Sequence, residues 1–170
     1  MMHGDPARFA IAVGAYVGAH LRERDVYLGG VRVTAEDNVE YVPVALLDLT
    51  RSIATLDRCW PPTKEDIAAV SGLDARQVHR RCRLDESRGV ARRRLLDYNE
   101  TAGSAVAFLA PGVGGLVLIY QLRTNRAVHT VDTSADEIRG VLSGAFAEIK
   151  EADDRRRDST GMPHWEMPPM

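Results

Sequence analysis

The stretch from Thr63 to Arg94, TKEDIAAVSGLDARQVHRRCRLDESRGVARRR, constrains the fold more than any other part of the chain. Thr63 followed by Asp66, and Asp74 followed by Gln77, each place an acid or amide three residues beyond a capping side chain, which predicts two helix starts. Between them Gly72 can take the positive φ that ends one helix and turns the chain toward the next. The spacing therefore predicts helix, tight turn, helix, and then a strand that opens on arginines. At 100° per residue Ala75, Val78 and Cys82 fall on one side of the second helix. Arg76, Arg80, Arg83 and Ser87 fall on the other side, flanked by Gln77 and His79.

Charge is concentrated here. Arg76 to Arg94 holds eight arginines against Asp85 and Glu86, a local charge of +6, which leaves −8 on the rest of a chain whose net charge is −2. A basic patch on an acidic body is a common nucleic-acid footprint, because guanidinium forks match phosphate oxygens and the guanine edge.

Residues 63 to 94 resemble the winged helix-turn-helix of the MarR-like superfamily of transcription regulators. Ile67, Ala68, Gly72, Leu73, Val78, Arg80 and Gly89 match that pattern's core, turn, basic contact and helix-ending glycine. Cys82 and Asp85 depart from it, standing where larger aliphatic residues are usual. The resemblance implies an α+β, mainly α fold: a winged helix-turn-helix core, a β-hairpin or three-stranded wing sheet, and flanking N- and C-terminal helices. It also implies a homodimer whose helix 74–88 reads the major groove of double-stranded DNA. Arg76, Gln77, His79, Arg80 and Arg83 are the expected groove contacts, with Arg81, Arg88, Arg92 and Arg94 on phosphates.

The remaining segments are read around that core. Residues 5–42 form an N-terminal extension. In it Asp5 to Asp25 is expected as a helix with the stripe Phe9, Val13, Tyr16, Val17, His20 and Leu21, followed by a short hairpin. Ala10, Gly14 and Gly18 make a small-residue stripe that lets another helix approach, in the same subunit or across a dimer. Residues 43–123 form the winged helix domain. Pro43 opens its first helix and Trp60-Pro61-Pro62 ends it. Val90 to Tyr98, Ser104 to Ala110 and Leu116 to Leu122 supply the wing strands, and Val128 to Val131 an edge strand. Residues 133–152 form an amphipathic helix, capped by Ser134 with Glu137, whose stripe Ile138, Val141, Leu142, Ala145, Phe146 and Ile149 is assigned to dimerisation. Residues 153–170 read as a disordered tail.

The 45% hydrophobic content supports one core, and two cysteines make no disulfide framework. No apolar run approaches the ~20 residues that span a bilayer. A cytoplasmic, nucleoid-associated protein is expected. His79 and Cys82 are a lone pair without the second pair a metal site needs. Pro111 to Gly115 lacks the lysine of a phosphate loop, and no nucleophile elbow is present. An enzyme is not expected, nor a cofactor. The sequence leaves any small-molecule effector unspecified. Two further readings stay open: a winged-helix interaction module of a replication, segregation or transcription assembly, and a redox-responsive regulator using Cys82.

Overall fold

The computed structural model describes residues 1–34, 38–84, 94–95, 105–112, 115–122 and 126–165. The chain begins with strands: β1 (Met2–Asp5), β2 (Phe9–Tyr16), β3 (Leu21–Leu28), β4 (Val31–Arg32) and β5 (Val39–Tyr41). Three helices follow: α1 (Val42–Cys59), α2 (Lys64–Val70) and α3 (Ala75–Leu84). Four strands come next: β6 (Arg94–Leu95), β7 (Ala105–Gly112), β8 (Gly115–Leu122) and β9 (Val128–Thr133). A long helix, α4 (Ala135–Thr160), closes the order. The strands form two antiparallel sheets. The first runs β1-β2-β3-β4 with β5 also pairing β3, and the second is the meander β6-β7-β8-β9.

The expected N-terminal helix is absent. Phe9, Ile11 and Val13 alternate into the core at full or near-full burial, and β2 pairs with both β1 and β3. Phe9 and Val13 fit a helical spacing and a two-residue strand repeat equally well; Ile11 fits only the second. The small-residue stripe brings strands together, not helices: a Cβ on Gly14 would meet the Glu23 side chain across the β2–β3 pair at 2.7 Å. The expected hairpin is also different, since β4 and β5 each pair with β3.

Both helix starts in the central stretch form their capping boxes. Thr63 Oγ1 accepts from the Asp66 N–H at 3.1 Å, and Asp66 Oδ2 accepts from the Thr63 N–H at 2.9 Å. Asp74 and Gln77 exchange the same pair at 2.8 Å, and Gly72 has φ +73°. What fails is the three-helix core that a winged helix needs. Helix α2 buries no residue, and Ile67 is 50% exposed. Helix α1 packs instead along α4, while α3 lies on β7, β8 and β9. A fold that is mainly α with a wing is therefore replaced by two sheets and four helices among the described residues.

The second sheet is apolar on both faces. Ala107, Leu109, Leu116, Leu118 and Tyr120 join the main core with β2, β3, α1 and α4. Phe108, Ala110 and Ile119 point the other way and meet Val78 and Cys82 of α3. Successive side chains of a strand alternate faces, so a continuous apolar run such as Leu116 to Tyr120 belongs to a sheet covered on both sides.

Helix α4 buries Ile138, Val141, Leu142, Ala145 and Ile149 against its own chain, along α1, β1 and β2. The stripe assigned to a dimer is thus consumed internally. The helix also outruns residue 152. Asp153 and Arg157 continue its buried face as an ion pair at 2.5 Å, and Gly161 caps it at φ +68°. The segment read as a disordered tail is helical to Thr160. Beyond it Trp165 meets the rings of His20 and Tyr41 edge-on at 5.9 and 6.0 Å, with the Arg157 guanidinium 3.9 Å over its face. Residues 166–170 lie outside the described residues.

Candidate functional site

The apolar side of α3 fixes what its other side presents. Val78 and Cys82 are 5% and 1% exposed against the outer face of the second sheet, which turns Arg76, Arg80 and Arg83 to solvent. Across from them, β8 contributes Gln121, the turn before β9 Arg126, and β9 Val128, and together these residues enclose a cleft of about 410 Å³. His79 lines its floor and Leu84, 74% exposed, its rim. Antiparallel pairing sets Gln121 opposite Val128. Gln121 Nε2 donates to the Arg126 carbonyl at 2.7 Å, which fixes a residue whose φ is +54°. Among the described residues, no carboxylate lies within ion-pair distance of Arg76, Arg80, Arg83 or Arg126.

His79 is only 3% exposed and stands edge-on to Phe108 at 5.2 Å. Burial lowers its pKa; a hydrogen bond to the Val106 backbone opposes this, and the Arg83 charge adds to the lowering. The ring is therefore neutral near pH 7. Nε2 is buried and has no hydrogen-bond partner among the described residues.

The residues expected to contact DNA do not act as one set. Arg76, His79, Arg80 and Arg83 share the cleft. Gln77 is spent on the α3 cap, its Oε1 accepting from the Asp74 N–H. Arg81 Nη1 donates to the Ala69 carbonyl at 2.9 Å and ties α3 to α2. Arg94 is half-buried in β6, opposite Phe108. Arg88 and Arg92 lie outside the described residues. Sequence reading missed Gln121, Arg126 and Val128, because only the β8–β9 register and the docking of α3 bring them there. Cys82 is closed in the core and offers no exposed thiol for redox sensing.

A second charged cluster lies inside the fold. Arg24, 2% exposed, holds Glu40 at 2.6 Å and Asp48 at 3.0 Å through Nη2, joining β3, β5 and α1. Burial raises the Glu40 pKa, Arg24 pulls it down and Asp48 raises it again. This cluster has a structural role. Among the described residues no group of His, Cys, Asp and Glu gathers in a way that could hold a metal ion. No helix among them is long and apolar enough to cross a membrane.

No protein-family profile and no curated protein matches this sequence. Among solved structures the fold does have a counterpart. The chain is similar to CdiI from Burkholderia dolosa AUO158. The likeness covers 87% of this chain and 99% of that one, with a TM-score of 0.64 and 19% sequence identity. It spans the sheets as well as the helices, so the winged-helix resemblance is overturned. The expectation of a homodimeric, nucleoid-associated transcription regulator on double-stranded DNA rested on that resemblance and falls with it. So does the winged-helix interaction module. Two capping boxes around a glycine turn specify a pair of helices, and that pair occurs here on the outside of a sheet.

Proposed function

We propose that this chain is a toxin-immunity protein: a non-enzymatic binder that holds a toxin polypeptide and blocks it. The observation that carries the reading is the near-complete overlap with CdiI, a contact-dependent inhibition immunity protein that binds a toxin protein. Fold alone does not fix function, and the proposal draws separate support from the surface. Among the described residues an open cleft gathers four arginines, with exposed Leu84 and half-buried Val128 beside them. Arginine beside apolar side chains is the composition of protein interfaces.

The test is protection. Cells expressing the chain are mixed with inhibitor cells that deliver contact-dependent toxins of different sequence, and survival is scored toxin by toxin. The proposal expects rescue against one toxin or a narrow group, with a stoichiometric complex recoverable by size-exclusion chromatography. Uniform killing across a panel that includes the toxin from the chain's own source would refute it.

A further inference from the structure

The cleft between α3 and the β8–β9 edge carries more information about its occupant than charge alone. Arg76, Arg80 and Arg83 recur every three to four residues along one helix face, so their guanidinium groups follow each other along about 10 Å at 1.5 Å rise per residue. Arg126 faces them from the turn before β9. An occupant must therefore bring several negative groups in a row. The floor adds a second condition. His79 Nε2 is buried with no partner among the described residues, and a buried polar atom gains most when a partner reaches it. The rim adds a third, in the exposed Leu84 and the neighbouring Val128.

We propose that this cleft is the docking site for an acidic segment of the protein partner, two or more carboxylates pairing with the arginines while an N–H or O–H of the segment donates to His79 Nε2. The proposal rests on the partner-binding reading above. It selects polypeptide over a DNA backbone for a chemical reason. The sugar–phosphate backbone of a DNA duplex offers oxygens to the arginines but no N–H or O–H donor to His79. A peptide carries an N–H at nearly every residue and apolar side chains between its acids.

The experiment uses the full chain and two labelled probes of equal charge, a hexaglutamate peptide blocked at both termini and a heptathymidylate oligonucleotide without terminal phosphates, read by fluorescence anisotropy at low salt. Hexaglutamate binds the parent, and Arg80→Ala and Arg83→Ala each weaken it about tenfold, while Arg80→Lys weakens it less. His79→Phe keeps the ring on Phe108 but removes the acceptor; it weakens hexaglutamate about threefold. Melting curves confirm that each variant is folded. Oligonucleotide binding as tight as the peptide's, or unchanged peptide affinity in the folded arginine variants, overturns the proposal. The survival assay separates the two levels. If Arg80→Glu with Arg83→Glu protects against a toxin as the parent does, the cleft is not the docking site although the immunity reading stands. If hexaglutamate binding needs the arginines but no toxin is neutralised, the acid-recognising cleft stands and the immunity reading falls.

Discussion

The buried Arg24 cluster gives the sharpest test of how this fold is held together. Replacing Asp48 by Ala removes a carboxylate 3.0 Å from a guanidinium that is 2% exposed. With an effective dielectric constant of about 20, a pair at this separation attracts by roughly 5–6 kcal/mol. Part of that is offset by the cost of desolvating Asp48, which the variant no longer bears. Glu40 also remains 2.6 Å from the same Nη2. The net loss expected is about 3 kcal/mol, the low end of what breaking a buried pair costs. At this chain length it corresponds to a fall in Tm of roughly 6–12 °C. Urea denaturation followed by circular dichroism measures it directly. The triple variant Arg24→Met, Glu40→Gln and Asp48→Leu should lose less than Asp48→Ala alone, because neither a guanidinium nor a carboxylate is left buried without its partner. The pH profile supplies a second readout. The Glu40 pKa is raised, so its contribution to stability is fully present below the ordinary glutamate range and is lost as pH rises through its raised value. Removing Asp48 takes away one of the raising influences, so that part of the profile flattens in the variant. A loss under about 1 kcal/mol, or a triple variant less stable than the single, would refute the view that Arg24 depends on both carboxylates.

Three further outcomes follow from other parts of the fold. Phe108→Ala empties the layer between α3 and the second sheet and should cost about 3–5 kcal/mol; the Cys82 thiol should then react with a thiol reagent in conditions where the parent's does not. Gly29→Ala combines a φ of +54° with a Cβ placed 2.5 Å from the Tyr120 hydroxyl, so it should lower the urea midpoint more than Gly72→Ala, where φ is +73° but nothing lies within 4 Å. His164 bonds Asp154 and Asp158, which raise its pKa; the tail contact it supports is complete below the ordinary histidine range and is lost as pH rises through the raised value. In a Trp60→Phe background the emission of Trp165 should therefore shift to the red on raising the pH, and His164→Ala should abolish that shift.

What the sequence discloses and what it conceals follow from the range of the forces involved. Capping is local, so Thr63 with Asp66, Asp74 with Gln77, and Ser134 with Glu137 can be read in a few residues, and each side chain accepts the N–H three residues on. The burial of Val78 and Cys82 follows from one helix's periodicity, and so does the outward row Arg76, Arg80 and Arg83. Beyond that the text becomes ambiguous. Phe9 and Val13 suit either repeat, and only pairing with β1 and β3 decides between them, through partners as distant in sequence as Tyr27 and Leu28. An amphipathic stripe states that it will be buried but not against what. The Ile138 to Ile149 stripe of α4 is satisfied by α1, β1 and β2 of the same chain, so it creates no need for a second copy. The same reasoning applies to the arginine row. A helix covered with guanidinium groups requires anions, and sequence alone assigns them to phosphates. The structure adds Arg126, a buried histidine whose pKa is lowered by burial, and an apolar rim. Those three additions come from the turn before β9, from β9 itself and from α3, and under the proposed docking they turn a general demand for negative charge into a demand for carboxylates carried on a chain with its own donors and apolar groups.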